Sequence, residues 1–164
     1  MENPFIITGK IKPEYFCDRQ QEAERIISKV TNGENLVLMA ARRIGKSKLI
    51  DFCLDKPAIK DHFIGISIDI LRTSSINEFT FELGKAVFEQ AARRGTKMLK
   101  MVVNTLKTIN GCFGYDPISN TPTFSLSLGD ISNPIYTLEE IFSCLEKADK
   151  KCIVAIDEFQ QIGY

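Results

Sequence analysis

The chain has 164 residues, 44% hydrophobic and 26% charged, with 21 basic residues balanced by 21 acidic ones. That length leaves room for one domain with a real core, and the neutral balance gives no support for a broad nucleic-acid footprint, which needs a clustered basic surface, while leaving a local patch open. No apolar run is long enough to span a bilayer, and Met1-Glu2-Asn3-Pro4 lacks the basic-then-apolar pattern of a secretory signal, so a cytoplasmic location is expected.

The five cysteines, Cys17, Cys53, Cys112, Cys144 and Cys152, are widely spaced and form no C-x-x-C, and His62 is the single histidine. A zinc site would have to gather them from scattered positions. Reduced, mostly buried thiols fit the pattern better.

Helices and strands alternate along the chain. Asp18 with Gln21 forms a capping-box-like start. Ala23, Ile26, Ile27 and Val30 follow at helical spacing, and Asn32-Gly33 ends that helix. Leu36-Val37-Leu38-Met39 is a short continuous apolar run that suits a buried parallel strand. A helix is expected from Lys46 to about Leu54, with Pro57 beyond it. Residues 63–70 read as a second strand. Ser75 and Glu78 form a capping box, and Phe79, Leu83, Val87 and Ala91 line one helical face. After Gly95, Met98, Met101, Val102, Thr105, Leu106 and Ile109 continue a helical stripe, in which the methionines serve as core packing.

Residues 110–134 are rich in turn formers. Within them Phe124-Ser125-Leu126-Ser127-Leu128 alternates strictly, so the segment reads as an insertion carrying a β-ribbon. Thr137 and Glu140 make a further capping box, with Leu138, Ile141, Phe142, Leu145 and Ala148 as the buried face of its helix. Cys152-Ile153-Val154-Ala155-Ile156 then reads as a buried strand ending in Asp157-Glu158. The alternation implies an α/β protein with a mostly parallel sheet.

Chemistry concentrates in Ala40-Ala41-Arg42-Arg43-Ile44-Gly45-Lys46-Ser47, placed between an expected strand and an expected helix. A tight loop there aims backbone N–H groups at an anion, and the following helix presents its positive end. Gly45 allows the turn, Lys46 reaches the β- and γ-phosphates, and Ser47 offers its hydroxyl to Mg²⁺. Ala40 stands where G-x-x-x-x-G-K-[ST] has its first glycine. An exposed loop lysine is the bland alternative. Asp157 and Glu158 supply what the loop lacks, a metal ligand and a group to orient or deprotonate water, at the end of a strand where such sites sit.

Three blocks resemble a prokaryotic AAA-like family of P-loop ATPases in the STAND (signal-transduction ATPase) branch. These are Asn3-Pro4-Phe5 with Phe16-Cys17-Asp18-Arg19-Gln20-Gln21-Glu22, Arg42-Arg43-Ile44-Gly45-Lys46-Ser47, and the apolar strand with its ending, Ile153-Val154-Ala155-Ile156-Asp157-Glu158-Phe159-Gln160. The resemblance implies a three-layer α/β/α fold that binds ATP and Mg²⁺. The loop residues Ala41 to Lys48 would lie on the nucleotide, with Phe16 and Arg19 beside adenine or ribose. The bland reading of the Phe16–Glu22 block is a helix cap plus core anchor. Ser47 and Asp157 would serve the metal, and Lys46 and Glu158 catalysis.

The same resemblance divides the chain into a nucleotide-side segment 1–34, a loop-strand, helix and second-strand region 35–109, the insertion 110–134, and a helix and acidic strand 135–164. The family continues past that strand with a sensor-bearing strand, so 1–164 is expected to be the N-terminal portion of an ATPase domain. Its incomplete sheet would leave an edge open to a second copy. The function expected is an ATP-binding signalling ATPase that turns over in the complete protein. The alternative is a nucleotide-binding or vestigial regulatory module that makes contacts without turnover. A GTPase is excluded by the lack of an N-K-x-D-like segment.

Overall fold

The computed structural model describes residues 19–41, 44–106, 108, 113–116, 121–124 and 131–163. They fall into two units, Met1–Gly65 and Ile66–Tyr164, taken here in turn.

In the first unit, α1 (Gln20–Thr31) starts from Arg19, whose carbonyl accepts the first helical bond from Ala23 N–H at 3.0 Å. The Arg19 side chain does not cap this end, and Asp18, the residue expected to cap it with Gln21, lies outside the described residues. The helix ends at Asn32, and Gly33 takes the left-handed φ of +84° that stops it. α2 (Lys46–Asp55) ends where expected, and Pro57 opens the single turn of α3 (Pro57–Lys60). Ala23 packs on Leu49, Phe52 and Cys53, with Ile26 and Ile27 at the margin. The Lys56 ammonium covers the Phe52 ring at 4.1 Å.

Between α1 and α2 the structure departs from the sequence reading. Leu36–Met39 forms no strand, and Val37 and Met39 are 82% and 90% exposed. A strand needs a neighbour to take its backbone bonds. Within the described residues the parallel sheet is two-stranded and this run is not part of it.

That sheet joins β1 (Ile64–Asp69) to β4 (Cys152–Asp157) in parallel. Along β1, Ile64, Ile66 and Ile68 are buried while Ser67 and Asp69 are exposed, the period-two pattern of a strand covered on one face. β4 is half-buried along its whole length rather than buried.

The second unit packs three helices. α4 (Ile76–Arg94) buries Thr80, Leu83, Gly84, Val87, Phe88 and Ala91. Ser75 caps it, accepting Glu78 N–H at 3.2 Å, while the Glu78 carboxylate accepts the Ser74 N–H and hydroxyl. The return bond of the box therefore falls one residue earlier than Ser75. Gly95 separates α4 from α5 (Thr96–Thr105), which buries Met98 and Val102. β2 (Phe113–Asp116) and β3 (Thr121–Phe124) form an antiparallel ribbon in register Phe113 to Phe124. The alternating run expected to build it overlaps β3 only at Phe124, and residues 125–128 lie outside the described set.

α6 (Pro134–Glu146) starts earlier than Thr137. Asn133 caps it by accepting Tyr136 N–H at 3.1 Å, and Pro134 brings its preset φ to the first turn. Thr137 lies inside the helix, fully buried, with its hydroxyl 3.0 Å from the Asn133 carbonyl. Glu140 does not reach back to a cap; its carboxylate accepts the Thr108 N–H and hydroxyl. The buried stripe is Thr137, Ile141, Cys144 and Leu145, and Phe142 is 53% exposed instead of buried.

Candidate functional site

The loop ahead of α2 is built around two cations. Gly45 sits at the helix N-cap with φ +80°, a left-handed turn that a side chain resists, and no side chain caps the helix. Lys46 opens the first turn and folds back across the loop. Its Nζ donates to the carbonyls of Ala40 at 2.9 Å and Ala41 at 3.3 Å. The Lys46 ammonium is thereby held at the start of the loop, against two successive carbonyls. Ser47 and Lys48 complete the first turn, Ser47 exposed and Lys48 half-buried.

Arg19 comes to the same loop from the start of α1. Its guanidinium donates to the Ile44 carbonyl at 2.8 Å and, through Nε at 2.8 Å and a second nitrogen, to the Glu22 carboxylate. A Cβ placed on Gly45 would lie 3.8 Å from the same guanidinium. Of the expected ligand residues, the structure brings Arg19, Ala41, Ile44, Gly45, Lys46, Ser47 and Lys48 into one neighbourhood. Phe16, Arg42 and Arg43 lie outside the described residues.

An open cavity of about 440 Å³ lies between α1 and the extended segment 36–40. Arg19, Arg25, Lys29 and Lys46 line it against a single carboxylate, Glu22, while Ile26, Leu36 and Leu38 give it an apolar wall. Its size falls in the range of small-ligand sites. No motif singles out Arg25 and Lys29. The signal was their spacing, three and seven residues after Glu22, which places them on one stripe of α1. Lys29 also pairs with Glu34 at 2.8 Å.

In the second unit, β4 delivers Asp157 and Glu158 at its C-terminal end. Glu158 has φ +56°, an uncommon backbone state for a residue with a long side chain. Its N–H donates to the Asp157 carboxylate at 2.9 Å, and Gln160 donates its amide to the Glu158 carboxylate. A one-turn 3₁₀ segment, Phe159–Gly163, follows. Among the described residues no three His, Cys, Asp or Glu side chains gather into a metal cluster. The described residues include no helix long and apolar enough to cross a membrane. Comparison with protein-family models, with curated proteins and with solved structures gives no match to this chain.

Proposed function

We propose that this chain binds Mg-ATP through the loop 40–48, as part of a P-loop NTPase domain with a three-layer α/β/α design and a signalling role. The observation that carries the reading is Lys46 folded onto the Ala40 and Ala41 carbonyls beside a left-handed Gly45 at a helix start. A phosphate entering this loop meets the ammonium and the positive end of α2 together. Arg19 adds a further cation, and the apolar wall of the cavity suits a base. Ser47 is the residue on this loop that would hold Mg²⁺, with Asp157 as its counterpart from β4. Bound Mg²⁺ neutralises charge on the phosphate oxygens. Glu158 is the residue proposed to orient and deprotonate water during hydrolysis in the complete protein.

A second reading is binding without turnover, in a regulatory or interaction module. Leu36–Met39 favours it, because among the described residues that segment forms no strand, and Val37 and Met39 are exposed. Ala40 at the first loop position points the same way.

Melting of the full chain with and without Mg-ATP tests the shared core of both. Ligand at 100 times Kd stabilises the native state by about 2.7 kcal/mol. The wild type should therefore melt higher with nucleotide, and Lys46→Ala should abolish the shift. A shift that survives Lys46→Ala, or no shift at millimolar ATP, overturns the assignment.

A further inference from the structure

We propose that Arg19 is a positioning residue for the phosphate loop and that Glu22 is the group that holds it in place. The inference rests on the nucleotide reading for its consequence, while its geometry stands on its own.

The guanidinium spans two elements. One edge is fixed by the Glu22 carboxylate, three residues along, and another nitrogen donates 2.8 Å to the Ile44 carbonyl. In a trans peptide the C=O and the next N–H point in opposite directions, and no described peptide bond is cis. Capturing the Ile44 carbonyl therefore turns the Gly45 N–H away from Arg19. Glycine has no Cβ to oppose rotation of its flanking peptides, so without that contact the Ile44–Gly45 peptide can flip. Gly45 is also the residue whose carbonyl accepts the first bond of α2, from Leu49 N–H at 3.0 Å. Arg19 thus sets both the direction of a loop donor and the register of the helix start. The planar fork matters here, because lysine cannot grip a carboxylate and a carbonyl with separate, rigidly related donors.

A different role for the same residues would reverse one sign. If Arg19 served mainly as a phosphate ligand, Glu22 would compete with the nucleotide for it, and removing the Glu22 charge would tighten binding. If Arg19 serves by orientation, removing that charge loosens it.

The experiment compares wild type, Arg19→Met, Arg19→Lys, Glu22→Gln and Lys46→Ala in the full chain by calorimetry with ATP and ADP, and by hydrogen exchange without nucleotide. Loss of a charge-assisted hydrogen bond predicts about tenfold weaker binding of both nucleotides in Arg19→Met. Glu22→Gln, which loses a partly exposed pair, should weaken binding about threefold. Arg19→Lys should not restore wild-type affinity. In the nucleotide-free protein the Leu49 amide should exchange faster in Arg19→Met and Glu22→Gln, with the centre of α1 still protected. Tighter binding in Glu22→Gln, full rescue by lysine, or unchanged exchange at Leu49 overturns the proposal. If the wild type binds no nucleotide but exchange responds as expected, the ATP reading falls and the positioning contact stands. If Lys46→Ala abolishes binding while Arg19→Met and Glu22→Gln bind as wild type, the positioning role alone falls.

Discussion

Burial governs the thiols at the residue scale. It pushes Cys53 up from 9.0 to about 11, against the downward pull of Lys56 and Arg19. Burial also raises Cys144 to about 11, helped by nearby Cys152. Both therefore stay protonated in the folded chain over a range where the unfolded chain ionises. A raised folded pKa lends stability that is complete below the unfolded value and is lost as pH rises through the folded one. Melting temperature should accordingly fall as pH climbs from about 9 toward 11, more steeply than in Cys53→Ala or Cys144→Ala measured against its own neutral-pH value. Equal slopes would remove the thiols from the account. The sequence reading of mostly buried thiols agrees with Cys53, Cys144 and Cys152, which are free, the first two buried. It could not read the left-handed Glu158, since no residue type there announces a positive φ.

At the scale of elements, helices with local start signals were legible and those with competing signals were misplaced. Ser75 caps α4 as its pattern implied, so Ser75→Ala should cost about 1 kcal/mol, measured by chemical unfolding; no change would show that Ser74 and Glu78 hold the end alone. The neighbouring Ser74 donors, backbone first, hold the Glu78 carboxyl below its usual range. That contribution is present above the ordinary glutamate range and disappears as pH drops through it. α6 shows the opposite case. Thr137-x-x-Glu140 satisfies the capping pattern, yet Asn133-Pro134 offers an acceptor and a preset φ one turn earlier, and the chain uses it. Glu140 is then spent on Thr108, a partner far away in sequence that no local pattern reveals. Leu36–Met39 failed as a strand for a related reason: an apolar tetrapeptide states a preference for burial, and only a neighbour can turn it into a ladder.

For the whole molecule, the alternation of helix and strand carried the α/β class, while the number and order of strands did not follow from it. The proposed site divides in the same way. Lys46, Gly45 and Arg19 belong to the first unit, and Asp157 and Glu158 to the second. Under the proposed reading, binding draws on residues of the first unit, whereas hydrolysis calls also on Glu158 of the second. Under that reading Glu158→Gln should keep ATP affinity and lose phosphate release, followed by a coupled phosphate assay. Persistent turnover would free Glu158 from the role of base.

The junction at Gly95 has a kinetic consequence. Its φ of +103° and ψ of 179° interrupt the helical backbone, and it is the single residue between α4 and α5, which pack against each other. Bringing those two helices together closes almost no chain, so very little loop entropy opposes the contact. Contacts this local form early, ahead of pairings such as β1 with β4, whose partners stand more than eighty residues apart. On contact order alone, the helical hairpin is expected to form before β1 pairs with β4.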